Sequence, residues 1–299
     1  MRRSRQLFFI VIFSSCFIQT GFAADPVPVF VSILPQKYFV QQIGKDLVDV
    51  QVMVQPGASP HAYEPKPRQM ADIAIARAYF AIGVSFETAW LNKISAANPG
   101  MKIVHTDDGI DKIAMAAHHG EGEHPEDRHP PEDHHDHGGV DPHIWLSPPL
   151  VKLQARAILA GLREIDPSHG GVYEANCRQF MADIDSLDAR LKNLFSDQQG
   201  LRFMVFHPAW GYFARAYGLT QLAVEIEGKE PKPAQLMALI KNAKENNIRV
   251  IFVQPQFSAK SAGLVAREIG GQVVRADPLA EDWTANLLDV ADKFKAALR

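Results

Sequence analysis

Three histidines sit in contexts that suit metal ligation: His61 in "PGASPHAYEPKP", His143 in "DPHIWLSP", and His207 at the end of the apolar run "FMVFHP". Neutral imidazole is the commonest side-chain ligand for transition metals. His61 and His143 lie in Pro-marked loops and His207 closes a strand candidate; α/β proteins place ligands in loops after the carboxyl ends of parallel strands. Asp277 in "VVRADPL" occupies the same kind of position and could add an oxygen. The gaps of 82 and 64 residues between the three histidines carry no motif specificity, unlike the compact spacing of a zinc finger. The expectation is a dispersed metal site that only the fold can assemble.

A denser cluster, "HHGEGEHPEDRHPPEDHHDHGG" (118–139), holds seven of the twelve histidines and seven acids among Pro and Gly. Nothing apolar in it could anchor a core. It reads either as a solvated acidic insertion or, the favoured reading, as a weak multi-site metal collector beside the primary site. His105 and His169, near a strand end and a helix start, read as structural. A competing chemistry is a zinc hydrolase with three His and an open water position. Against it, neither G-x-S-x-G nor H-E-x-x-H occurs in the sequence, and the nearest candidate base is Glu64 in a "YEP" loop.

The elements that must position these residues alternate between strand and helix. "VPVFVSI", "VDVQVMV", "YFAIG" and "KIVHT" read as strands, with helical patterns in "QKYFVQQIG", "PRQMADIAIARA" and "FETAWLNKISAAN". The second half repeats the grammar with "RFMVFH", "QLAVEIE", "RVIFVQ" and "QVVRAD" as strands. Its helical patterns are "AWGYFARAYG", "PAQLMALIKNAKENN" and "SAKSAGLVAREIG". Such alternation predicts parallel sheets and an α/β fold class. Between the halves, Tyr173, Cys177, Phe180, Ile184, Leu187, Leu191 and Leu194 recur at spacings of 3 and 4, one apolar seam on a single long helix over about 167–197. The expected organisation is an N-terminal lobe at 24–166, this linking helix, and a C-terminal lobe at 198–299. A stiff helix in place of loop hinges should restrict domain closure.

The chain's first residues differ from the rest. Arg2, Arg3 and Arg5 precede an apolar run from Leu7 to about Ile18 and the small residues up to Ala23, the layout of a secretory signal peptide over 1–23. Its removal would take the formal charge from −3 to −6 and leave Cys177 as the single cysteine, so no internal disulfide is expected. A lipid anchor through Cys16 is the lesser alternative, because Phe13 stands where lipoprotein signals favour Leu. The acidic balance gives no footprint for nucleic acid.

Four segments in order, "QPGASPHAYEPKPRQM", "DPHIWLSP", "VFHPAWGYFARAYGL" and "EGKEPKPAQLMALIKNAKENNIRVIFVQPQFS", resemble the periplasmic metal-binding proteins of ABC transporters, in particular their zinc-uptake, ZnuA-like branch in the TroA-like superfamily. The resemblance runs from about residue 28 to the C-terminus. It implies two α/β lobes joined by a rigid helix, with one metal in the cleft between them. It also implies a monomeric, non-enzymatic binding protein in the periplasm that delivers Zn²⁺ to a permease in the inner membrane. By matching segment, the implied ligands are His61, His143 and His207, with Asp277 at the position that varies among zinc members. Manganese-binding relatives resemble the pattern with a carboxylate in place of His207; three imidazoles with at most one oxygen favour Zn²⁺, manganese or another divalent metal being the alternative. Because imidazoles must be deprotonated to bind, affinity is expected to fall as pH drops through about 6.

Overall fold

The computed structural model describes residues 25–115, 139–225, 231–257 and 259–298. The expected signal peptide and the His-rich segment up to residue 138 lie outside the described residues. What is described is two four-stranded sheets, each wholly parallel and each flanked by helices. The first is built from β1 (Val27–Val31), β2 (Val48–Val52), β3 (Ala78–Ala81) and β4 (Lys102–His105) in the order β2-β1-β3-β4. The second, from β5 (Arg202–Val205), β6 (Thr220–Ala223), β7 (Val250–Val253) and β8 (Gln272–Arg275), repeats that order as β6-β5-β7-β8. β3 and β7 are buried at every position, as strands covered on both faces by helices must be.

Around the first sheet lie α1 (Leu34–Gly44), α2 (Pro67–Ile73), α3 (Ser85–Ala97) and α4 (Pro148–Ile165). α2 is shorter than its sequence pattern suggested, because the chain must turn at Ala74–Arg77 to enter β3. α4 was not read from the sequence. It buries Val151, Ala155, Ile158 and Leu162 on one face and begins with Pro148, whose missing N–H costs nothing in a first turn. Gly161 lets α4 lie close against the sheet: a Cβ there would stand 2.8 Å from Val104 and 3.0 Å from Phe80.

The apolar seam forms α5 (Gly170–Leu194), a 25-residue helix about 37 Å long, entered through a short 3₁₀ turn at Pro167–His169. Every seam residue from Tyr173 to Leu191 is buried, and Leu194 is half-buried. The second sheet carries α6 (Gly211–Ala216), α7 (Pro233–Glu245), α8 (Ala259–Glu268) and a last helix, α9 (Trp283–Ala297), also unread from the sequence. α9 starts against the first lobe. Phe39 meets Trp283 edge-on at 5.1 Å, the Trp283 indole N–H donates to Trp145 O at 2.7 Å, and the Trp145 indole N–H donates to Pro278 O at 2.7 Å. One continuous apolar core runs from β1 through α5 to Phe294, and a smaller one lies between the second sheet, α7 and α8.

In both sheets the strand order reverses between the first and third strands of the set, so a crevice opens at their carboxyl ends. The loops that leave these ends carry His61 after β2, Ser85 after β3, His207 after β5, Glu225 after β6, Gln254 after β7 and Asp277 after β8. The fold turns the two crevices toward each other.

Candidate metal centre

The structure brings His61, His143 and His207 together. One ring nitrogen from each lies within 4.8 Å of the other two, and His61 Nε2 stands 3.1 Å from His207 Nε2. Ring centroids are 4.7 to 6.0 Å apart. His143 and His207 are buried. His61 is exposed as a residue, but its Nε2 edge is turned into the cluster.

Each imidazole is held from behind by its Nδ1. Asp141 Oδ1 accepts from His143 Nδ1 at 2.7 Å and from His143 backbone N at 2.8 Å. Glu225 Oε1 accepts from His207 Nδ1, and Ser85 Oγ lies 3.1 Å from His61 Nδ1. A carboxylate only accepts, so the proton of His143 and of His207 is on Nδ1 and the Nε2 lone pair faces the cluster, the tautomer a metal needs. The buried Asp141 and Glu225 also bring the negative charge that offsets a divalent cation.

The packing around the rings fixes their planes. Phe257 stacks on His207 at 5.1 Å and 20°, and Trp145 lies 5.1 Å from His143. Desolvation of its ring within the cluster lowers the pKa of His61 to about 3, and the neighbouring His207 and His143 add to the shift. Burial also lowers the pKa of His207, against the opposing pull of Glu225. Both shifts favour the neutral, ligating form of these two rings, since a desolvated imidazole beside others resists protonation. The cavity beside the three rings has a volume of about 10 Å³, about the room one water or ion needs.

Asp277 is outside this group. Its Oδ1 accepts from Leu279 N at 2.9 Å and from Gln256 Nε2 at 3.3 Å, and it lines an adjoining cavity with Ile33, Leu34 and Val54. His169 pairs with Asp166, as a structural reading requires. His105 stands with Asp107 and Asp108 in a second, more exposed group, where Lys112 already pairs with Asp107 at 2.5 Å.

Sequence reading missed the residues behind the imidazoles. Asp141 was visible in "DPH", two residues before His143, and Glu225 as an acid inside the apolar run "QLAVEIE". Glu87 gave no signal. Buried near the start of α3, it accepts from Ser32 Oγ, Ile82 N at 3.0 Å and Gly83 N at 2.8 Å, which fixes the turn that carries Ser85 to His61. Desolvation raises its pKa, and these hydrogen bonds partly offset that.

Residues 29–297 match the family model described as zinc-uptake complex component A, periplasmic. The high-affinity zinc uptake system protein ZnuA of Bacillus subtilis strain 168 is 32% identical over 251 residues, 83% of this chain and 77% of that one. A crystal structure of ZnuA is 43% identical, covers 92% of this chain and all of its own, and superposes with a TM-score of 0.83. A ZnuA deletion mutant described as "plus zinc bound" is likewise 43% identical over 91% of this chain and 98% of its own, with a TM-score of 0.81.

Proposed function

Because the chain belongs to the family of periplasmic A components of zinc-uptake complexes, metal-binding solute-binding proteins of ABC transporters, we propose that its solute is Zn²⁺, held by His61, His143 and His207. The observation that carries this reading is the convergence of three imidazole nitrogens from both halves of the chain, two with Nδ1 fixed by a buried carboxylate. Three neutral nitrogens make a borderline-soft set that suits Zn²⁺ better than the oxygen-seeking Mn²⁺ or Mg²⁺.

The protein captures the ion in the periplasm and passes it to the transporter's permease. The two lobes meet at the ion, so release requires the His207 loop and the His61–His143 loops to separate, and docking of both lobes on a permease would supply that. The His-rich segment collects metal at lower affinity and feeds the site from its position directly before His143. The donor set suits capture and release of an ion.

Calorimetric titration of metal-free protein with Zn²⁺ tests the reading. One tight site is expected, lost in His143→Ala and His207→Ala and kept when residues 118–138 are removed. A tight site that survives both histidine substitutions refutes it.

A further inference from the structure

On the second lobe, α7 and α8 pack side by side over one face of the sheet. Leu239 and Ala243 of α7, with Ala262, Val265 and Ala266 of α8, fill the smaller core beneath them. The opposite stripes face outward, and each carries one large apolar residue: Met237 is 72% exposed and Leu264 41%. Cations recur around both at helical spacing. Lys241 and Lys244 follow Met237 by four and seven residues, while Lys260 precedes Leu264 by four and Arg267 follows it by three. All four cations are exposed, so each apolar tip shares its helix face with two positive charges.

The charge here runs against that of the whole chain. Residues 232–268 hold six Lys and Arg against two acids, Glu245 and Glu268, a net of +4 in a chain whose formal charge is −3. Lys241 pairs with Glu245 at 3.8 Å, but both are exposed and such a pair binds weakly. Lys244 and Arg267 make no ion pair among the described residues. Solvated cations, or a single exposed Met, are ordinary surface features. An exposed Met and an exposed Leu on adjacent helices, each flanked by cations, match an anionic bilayer: phosphates for the charges and the interfacial zone for the apolar tips. An acidic protein would satisfy the cations, but ion pairing gives no reason for the apolar tips. Both helices also begin at the carboxyl end of the second sheet, the end that carries His207 and Phe257. A bilayer on this face would lie beside the metal cleft.

We propose that the α7–α8 face docks on an anionic lipid surface, with Met237 and Leu264 entering the headgroup region and Lys241, Lys244, Lys260 and Arg267 meeting lipid phosphates. The docking does not depend on which ion the protein carries. Its benefit, a search for the permease confined to the membrane plane with the cleft held close to it, rests on the delivery role proposed above.

The test is co-sedimentation of the mature protein with vesicles of phosphatidylglycerol and phosphatidylethanolamine, against neutral phosphatidylcholine vesicles. Binding is expected to the anionic vesicles alone and should weaken steeply as salt is raised. Lys244→Gln and Arg267→Gln should each weaken it about 5-fold. Met237→Ser and Leu264→Ser should each weaken it up to about 10-fold and leave the salt dependence unchanged, since they remove apolar contact and no charge. The emission of Met237→Trp should shift to the blue on anionic vesicles. These positions are exposed and distant in sequence from the three histidines, so Zn²⁺ titrations of every variant should match the wild type. Failure to sediment with anionic vesicles, or binding that ignores the glutamine variants, overturns the proposal. So does salt-sensitive binding in which both serine variants are silent and the Met237→Trp emission stays put. Binding to poly-glutamate but not to vesicles assigns the face to an acidic protein and overturns it as well. A wild type that binds vesicles but not Zn²⁺ defeats the zinc reading alone.

Discussion

The residues proposed to ligate and those that aim them differed in legibility. His61, His143 and His207 stand in loop contexts suited to a ligand, and the family resemblance of the segments around them singled them out together. Glu225 was visible only as an acid at the end of an apolar run, and it becomes informative once the loop after β6 is placed beside His207. Its role yields a sharp expectation. Glu225→Gln keeps the volume but puts an NH₂ within reach of Nδ1, so the tautomer is no longer enforced. Zinc affinity should fall about 10-fold in competition with a chromophoric chelator, with the stoichiometry unchanged. The pH dependence belongs to the same scale. Three ordinary imidazoles would lose about 50-fold in affinity between pH 7.5 and 6. With His61 neutral to about pH 3 and His207 also lowered, the loss over that interval should be well under 10-fold by calorimetry. For folding the same lowered pKa carries a cost. Below about pH 6.5 the unfolded chain takes up a proton at His61 that the folded chain refuses, so the metal-free protein loses stability as pH falls toward 3.

At the level of elements, the strand–helix alternation announced parallel sheets, and the seam of α5 announced one long helix. What escaped was α4 and α9, whose apolar residues gain meaning only from the faces they cover, and the contact of α6 with the loop before His143. There Gly211 opens α6, and a Cβ on it would lie 2.9 Å from Asp141 Oδ2, while Tyr212 donates to Asp141 O at 2.8 Å and accepts from Ile113 N at 3.1 Å. Asp141 is buried and already bonded to His143, so it cannot retreat freely. Gly211→Ala should therefore weaken zinc several-fold through His143 and cost about 1–3 kcal/mol of stability, as overpacking does; an unchanged affinity would separate α6 from the site. The His-rich segment makes the opposite case. Its two ends are already joined, by an antiparallel bridge between Ala114 and Val140 and by Met115 N donating to Gly139 O at 3.0 Å. Replacing 116–138 with a short turn should leave the melting temperature of the metal-free protein within about 2 °C, because the joined neck already closes the loop.

For the whole molecule the decisive feature is that the two lobes share a core. The same apolar cluster contains Phe30 of the first sheet, Phe180 of α5, and Trp283 and Phe294 of α9, and the Trp145–Trp283 pair exchanges indole N–H bonds with backbone across the junction. Two lobes on a flexible linker would close like a hinge and unfold separately. Two lobes sharing buried tryptophans should move little and unfold together. Calorimetric unfolding of the metal-free protein is expected to show one transition, with zinc raising its midpoint because the tight site exists only in the folded chain. Trp283→Ala removes a fully buried indole at the junction and should cost about 3–5 kcal/mol. If the core is shared, that cost appears as a lower midpoint for the single transition; if the lobes are independent, the trace splits and the first lobe melts where it did before. A split in the wild type would mean that the long helix alone holds the lobes together. In that case the separation of His207 from His61 and His143 needs no push from a permease, and release of zinc becomes a property of the free protein.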